Sequence, residues 1–313
     1  MKLTKPKFWK TKYNLISILL LPLSLIIIIF IFIKKKITKI NNFNIPIICV
    51  GNLFVGGTGK TPVSILIGKE LSKMSKKPVI IKKFYKNQED EHKLIKHHFD
   101  DLILKKRREV AINEAKNLGY DTIILDDGFQ DYKIRKNLNI LCFHANQLIG
   151  NGLVFPAGPL RESLNSIKDA DIIIINGKKN ITFEKKILNF NKSIEIIYSN
   201  YRVQDIREFK NKNLFAFAGI GNPENFFNLL SENNLKIERK LSFPDHYEYN
   251  KTELLDIINY SKKKNLHIVT TEKDLFRIKK FNLKEIKPIN VDLEIEKKEK
   301  FIKKILNIYD KKF

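Results

Sequence analysis

Residues 51–62 read GNLFVGGTGKTP, preceded by the apolar run IPIICV (45–50) and followed by the amphipathic run VSILIGKELSKM (63–74). Apolar run, glycine-rich loop and amphipathic run, in that order, predict a strand, a loop and a helix. Gly56, Gly57 and Gly59 let the backbone curl close to an anion and turn its N–H groups inward, with Thr58 between them. The helix that follows adds its unpaired N–H groups and the positive end of its dipole. Lys60 is then placed to reach β- and γ-phosphates, and the Thr61 hydroxyl to ligate Mg²⁺. One position departs from the Gly-x-x-x-x-Gly-Lys-Thr spacing, because Phe54 stands where the first glycine belongs. A glycine-rich turn without a ligand is the plainer alternative. The strand–loop–helix context favours a nucleotide phosphate, with ATP and Mg²⁺ as the expected cofactors.

A chain of 313 residues, 43% of them hydrophobic, has room for two domains or one large α/β unit. Its formal net charge of +24 suits an anionic partner, but lysine, isoleucine and asparagine are abundant throughout, so the charge alone names none. Cys49 and Cys142 sit far apart in apolar runs. They form neither a metal-ligand spacing nor a disulfide framework, and a reducing compartment is expected.

From Leu15 to Ile33 the chain reads LISILLLPLSLIIIIFIFI, without a charge. That length predicts a bilayer-crossing helix, or, with Pro22 as a break, two arms that dip into the membrane and return. The apolar part is too long for a secretory signal, and no small-residue cleavage site follows. Lysines flank it on both sides, so charge does not orient it. A loop that binds ATP places the rest of the chain on the cytoplasmic side.

Strand-like runs recur at 45–51, 78–83, 121–127, 138–143, 171–177, 194–199, 214–219, 266–274 and 287–293, with helical periodicity at 113–118, 224–233 and 299–309. Such alternation predicts a P-loop NTPase-like α/β fold: a mostly parallel sheet with helices on both faces. The expected divisions are a membrane anchor over 1–40, a P-loop core over 41–185 and a smaller C-terminal α/β lobe over 186–313.

Several clusters carry candidate chemistry. The run TIIL ends in Asp126-Asp127-Gly128-Phe129-Gln130, and acidic residues at a strand end downstream of a phosphate loop suit Mg²⁺. Either aspartate fits. The loop FPAGPLRE (155–162) holds Arg161 in a stiff setting suited to a phosphate. FPDHY (243–247) offers His246 as a proton acceptor, while in TTEKD (270–274) Thr271 reads as a helix cap. His97-His98, beside Asp100 and Asp101, reads as solvated surface.

Taken in order, the hydrophobic amino terminus, GN-x-x-VGGTGKTP, DDGFQ, NG-x-x-x-PAGPLRE, FPDH and TTEKD resemble the tetraacyldisaccharide 4′-kinase family, over about Lys7 to Asp274. The resemblance implies transfer of the ATP γ-phosphate to the 4′-hydroxyl of tetraacyldisaccharide 1-phosphate, a lipid A precursor, at the cytoplasmic face of the inner membrane. It implies Asp90 as the base, His246 as the residue that orients it or raises its basicity, and Glu91 as an aid to the metal. It implies Lys60, Thr61, Asp126 and Asp127 around ATP·Mg²⁺, and substrate contacts from Tyr85, Gln130, Arg161 and an arginine aligned with Arg108 or Arg107. The sequence departs from the family over 82–91: KKFYK (82–86) keeps only Tyr85 of Ser-Arg-Gly-Tyr-Gly, and Glu89 replaces the glycine before Asp90.

The alternative is a membrane-anchored regulatory P-loop NTPase. Against it, TEKD puts lysine one place late for a guanine-binding Asn/Thr-Lys-x-Asp, and DDG lacks the Asp-x-x-Gly spacing. A nucleic-acid partner rests on charge alone and is not expected. No feature demands an obligate protein partner.

Overall fold

The computed structural model describes residues 6–204 and 206–310. In chain order the strands are β1 (Ile47–Gly51), β2 (Pro78–Lys83), β3 (Leu102–Lys105), β4 (Thr122–Asp126), β5 (Leu138–His144), β6 (Ile172–Asn176) and β7 (Glu195–Val203). Then come β8 (Asn213–Ala218), β9 (Lys236–Ser242), β10 (His267–Thr271), β11 (Ile286–Ile289) and β12 (Val291–Ile295). They build an eight-stranded sheet of order β12-β7-β6-β5-β1-β4-β2-β3 and a four-stranded sheet of order β11-β10-β8-β9. Every pairing from β7 across to β3 is parallel, as is every pairing in the smaller sheet.

Two compact units result, and they do not follow chain order. The larger contains residues 6–84, 99–200 and 293–310; the smaller contains 85–98, 201–204 and 206–292. A single cut near residue 185 therefore does not describe the chain. The segment 85–98 belongs with the second unit, and the last residues return to the first.

In the larger unit β1, β4 and β6 are buried at every position. Continuous Ile-rich runs suit strands covered on both faces, as parallel sheets require. Ile47, Cys49, Val79, Ile81, Ile123 and Leu125 lie in its core. Both cysteines are buried free thiols, and burial pushes Cys49 up to about 11, which makes it inert. In the smaller unit Leu214, Ala216, Phe227, Leu230 and Val269 form one side of the core, while Phe215, Phe217, Leu254 and Ile258 form another.

Two strands escape the periodicity reading. β3 has four residues, too few to show a period, and β9 (KIERKLS) is largely exposed and carries charge where core strands carry isoleucine. The apolar run at 287–293 divides at Asn290 into β11 and β12.

The expected bilayer-crossing segment folds otherwise. Residues 15–37 form a short helix, Leu15–Leu19, and a second, Leu21–Ile37, separated at Leu20 just before Pro22. Among the described residues no helix is long and apolar enough to cross a membrane. The second helix docks on the larger unit. Ser24 Oγ donates to the Val154 carbonyl at 2.8 Å and accepts from Ala157 N at 3.0 Å, while Ile27 and Ile28 pack on the core. Trp9 Nε1 donates to the Pro156 carbonyl, and Lys35 pairs with Glu162 and Asp169. The opposite side of these helices stays apolar and exposed, with Leu15 at 72%, Ile26 at 63% and Phe30 at 65%.

Candidate active site

The glycine-rich loop leaves β1 and enters the Lys60–Lys73 helix, whose cap, Gly59, has φ 90°. Gly56 has φ 122°. Both conformations strongly favour glycine. Asn52, fully buried, braces the loop from beneath: its Nδ2 donates to the Phe54 and Gly56 carbonyls at 2.7 and 3.0 Å and to Thr58 Oγ1 at 3.0 Å. Phe54 is 6% exposed and bridges to Leu160, so the residue that replaces the first glycine anchors the loop in the core.

Gly57 differs from its neighbours. Its φ is not positive, and a Cβ added there meets nothing within 4 Å. Neither packing nor backbone strain requires a glycine, and the space beside it is open. Gly57→Ala is accordingly expected to leave the thermal midpoint within about 2 °C while weakening ATP binding about tenfold or more. Calorimetry and nucleotide titration on the same sample check it.

Parallel register sets the next group. Asp126 at the end of β4 lies opposite Val50 of β1 and Lys82 of β2. Ligands in such sheets bind beyond the carboxyl ends of the strands. Asp126 is fully buried. Its Oδ2 accepts from Thr61 Oγ1 at 3.0 Å and from Lys82 Nζ at 2.6 Å, and its Oδ1 from Ser64 Oγ at 3.1 Å. Asp127 has φ 58°, a strained backbone for a non-glycine residue and one common at functional turns. Its Oδ1 accepts from Arg161 Nη1 at 2.8 Å and lies 3.7 Å from Lys60 Nζ. Burial by itself would raise the Asp127 pKa, but Lys60, Arg161 and Lys82 outweigh it and hold the carboxyl well below the usual range. The Thr61 hydroxyl and these two carboxylates are hard oxygen donors gathered beside the loop, a set that fits Mg²⁺.

Gln130 and Arg161 join this group. Gln130 Nε2 donates to the Asn52 carbonyl at 3.1 Å and to Glu162 Oε1 at 2.8 Å, and Arg161 Nη1 approaches Gln130 Oε1 at 3.4 Å. Arg108, expected in substrate binding, lies behind the acidic turn. It is 8% exposed and spends its guanidinium on the Asp126 and Asp127 carbonyls and on the Asp131 carboxylate, holding the acidic turn in shape.

In the smaller unit Asp90 and Glu91 open the Glu89–His98 helix. Asp90 is 6% exposed. Its Oδ2 accepts from Arg277 Nε at 3.0 Å and from Arg277 Nη2, with Lys273 Nζ at 3.5 Å, while its Oδ1 faces His246 Nδ1 at 3.2 Å. Burial by itself would raise its pKa. The hydrogen bond from His246 and the charges of Lys273 and Arg277 outweigh burial and keep it far below the carboxylate range. An ionised carboxylate only accepts, so Nδ1 carries a proton. Nε2 lies 3.8 Å from Glu91 Oε1 and 3.9 Å from Asp245 Oδ1. His246 itself has φ 54°. Glu91, implied as a metal aid, pairs with Lys273 at 2.8 Å. Tyr85 also belongs to this unit and is exposed.

Thr271 caps the Glu272–Ile278 helix, accepting from Asp274 N. The rest of TTEKD, read as capping, supports Asp90. Lys273 and Arg277 stand one turn apart on one helix face, and both reach that carboxylate. Asp274, fully buried, holds Arg277 at 2.7 Å and accepts from Gly219 N and the Tyr249 hydroxyl. The Lys273–Arg277 spacing was a usable signal. Asn52 stands in the GN-x-x-VGGTGKTP motif without a role read for it, and Lys82 carried no signal beyond its position near a strand end.

A glycine-rich loop at the carboxyl end of a parallel sheet, with a buried aspartate, a half-buried one and basic residues around it, defines a P-loop nucleotide-binding α/β protein. Residues 16–310 match the family described as tetraacyldisaccharide-1-P 4′-kinase, and the chain belongs to that family. It is 41% identical over 99% of its length to all of the tetraacyldisaccharide 4′-kinase of Pelagibacter ubique. It is 34% identical to that of Rickettsia akari, with 94% of each chain covered. The crystal structure of an LpxK from Aquifex aeolicus in complex with ATP superposes with a TM-score of 0.74 at 25% identity, covering 94% of this chain and 99% of that one.

Proposed function

We propose that this chain is a lipid A 4′-kinase that moves the γ-phosphate of ATP to the 4′-hydroxyl of a tetraacyldisaccharide 1-phosphate. The observation that carries the reading is the joint presence of an ATP-type loop with its Thr61–Asp126 pair and of a buried Asp90–His246 pair. A switch protein needs the first and has no use for the second.

The larger unit binds the nucleotide. Backbone N–H groups of residues 56–61 receive the phosphates, Lys60 adds a positive charge, and Arg161 supplies a planar donor. Thr61 with Asp126 or Asp127 would hold Mg²⁺, which would supply neutralisation of phosphate charge. Lys82 holds the Asp126 carboxylate in position, and Arg108 fixes the turn that carries both aspartates. The smaller unit supplies the proton acceptor. The ion pairs that hold Asp90 in place also cost it basicity, so a carboxylate that shares the hydroxyl proton with His246 meets the demand better than a carboxylate alone. Positioning and charge neutralisation carry most of the rate, as in other phosphoryl transfers.

The lipid acceptor gives a reason for the exposed apolar side of the Leu15–Leu19 and Leu21–Ile37 helices. They lie on the cytoplasmic face of the inner membrane with that side in the headgroup and acyl boundary, flanked by lysines. Ser24 ties them to Val154 and Ala157 in the loop that carries Arg161. Ile26→Glu with Phe30→Glu is expected to cut binding to anionic vesicles about tenfold or more, with the thermal midpoint unchanged. Unchanged co-sedimentation would place the membrane contact elsewhere.

Acceptor dependence of ADP formation tests the kinase reading. ADP release is expected to rise steeply when tetraacyldisaccharide 1-phosphate in mixed micelles is added. Equal release with and without acceptor would instead identify a regulatory NTPase.

A further inference from the structure

The pair His97-His98, read from sequence as solvated surface, is not simply surface. His98 Nε2 lies 3.1 and 3.3 Å from the two carboxylate oxygens of Glu272, and its ring is partly buried. The His97 ring stands edge-on to it at 5.0 Å and rests on Phe276 at 5.6 Å. One ligand atom from each of His97, His98 and Glu272 falls within 4.8 Å of the other two. We propose that His97, His98 and Glu272 form a binding site for a divalent cation of the zinc class, joining the end of the Glu89–His98 helix to the start of the Glu272–Ile278 helix.

Three features carry this. Ligands at about 2.0–2.2 Å from a tetrahedral zinc ion stand about 3.3 Å from one another, and His98 and Glu272 already meet that spacing. A rotation of the exposed His97 ring closes the third distance. Two imidazoles and one carboxylate form a borderline donor set, suited to Zn²⁺ and poorly suited to Mg²⁺, which prefers oxygen. The cation for this site thus differs from the one that fits Thr61, Asp126 and Asp127. Finally, the exposure of His97 leaves a side of the site open for a water ligand.

The placement gives the ion something to do. Asp90 sits seven residues before His97, two helical turns along and on nearly the same face. Lys273 and Arg277, which hold Asp90, share a helix with Glu272. An ion at this site ties the helix bearing Asp90 to the helix bearing its two basic partners, at a point remote from the carboxylate. It acts as a staple and takes no part in the reaction.

The test uses the full chain stripped by a chelator and kept in excess Mg²⁺, with Zn²⁺ titrated against a chromogenic competitor. One equivalent is expected to bind, and Co²⁺ in its place is expected to give the intense visible absorption of a tetrahedral site. His97→Ala and Glu272→Gln are each expected to weaken Zn²⁺ binding about tenfold or more. His97→Ala removes an exposed ring and leaves the His98–Glu272 contact in place, so loss of binding there is not loss of fold. Zinc affinity unchanged in both variants overturns the proposal, whatever the kinase activity proves to be.

Discussion

Asp90→Asn is expected to lower kcat for phosphate transfer by about a thousandfold, within the range general bases contribute, and to leave ATP affinity within about twofold. The amide keeps the shape of the carboxylate and still accepts one bond from Arg277, so the side chain stays in place. It loses the negative charge that holds His246 Nδ1–H and that takes up the hydroxyl proton. Lys273 loses one counter-charge and keeps Glu91 at 2.8 Å, which limits the structural cost. His246→Gln is expected to have a smaller effect on kcat and to change its pH dependence. The depressed pKa of Asp90 fixes the sign of a further effect. The group stabilises the fold above the ordinary carboxylate pKa of about 3.9. That contribution is lost as pH falls through the folded value, so Asp90→Asn narrows the difference in stability between neutral and acidic solution. Circular dichroism melts at both pH values check this, and a wild-type kcat would remove Asp90 from the reaction.

Lys60→Ala is expected to reduce kcat/KM for ATP by about 10²- to 10³-fold, the usual loss when one preorganised donor is withdrawn from a transferring phosphoryl group. The Lys60 side chain is 11% exposed and its ammonium stands 3.7 Å from Asp127. Its removal therefore also strips one of three positive groups that hold Asp127 ionised, leaving Arg161 and Lys82. Because Lys60 contacts phosphate both before and during transfer, the loss falls on KM and kcat together. A change confined to KM would mean that Lys60 only binds ATP.

The parts of the molecule built from consecutive residues were legible. β1, the glycine loop and the Lys60–Lys73 helix follow from spacing, and Asp126-Asp127 from a polar pair that ends an apolar strand. The rest depends on contacts between segments far apart in the chain. Lys82 reaches Asp126 because parallel register sets β2 beside β4, which no local pattern reveals. Arg277 reaches Asp90 across 187 positions in sequence. Arg108, aligned with a family substrate contact, donates in the fold to the carbonyls of Asp126 and Asp127. The amino-terminal run misled for a related reason. Hydropathy counts apolar side chains, but Ser17, Ser24, Ile27 and Ile28 are used in docking, and the break before Pro22 leaves a helix of 17 residues.

Transfer of phosphate from ATP to a lipid hydroxyl is open to direct measurement. Incubation of the full chain with γ-labelled ATP and tetraacyldisaccharide 1-phosphate in mixed micelles tests it, with the labelled position assigned by NMR of the isolated lipid. Label is expected on the 4′-oxygen, formed by the wild-type chain and nearly absent with Asp90→Asn. Label recovered only as inorganic phosphate, with the lipid unchanged, would contradict this expectation.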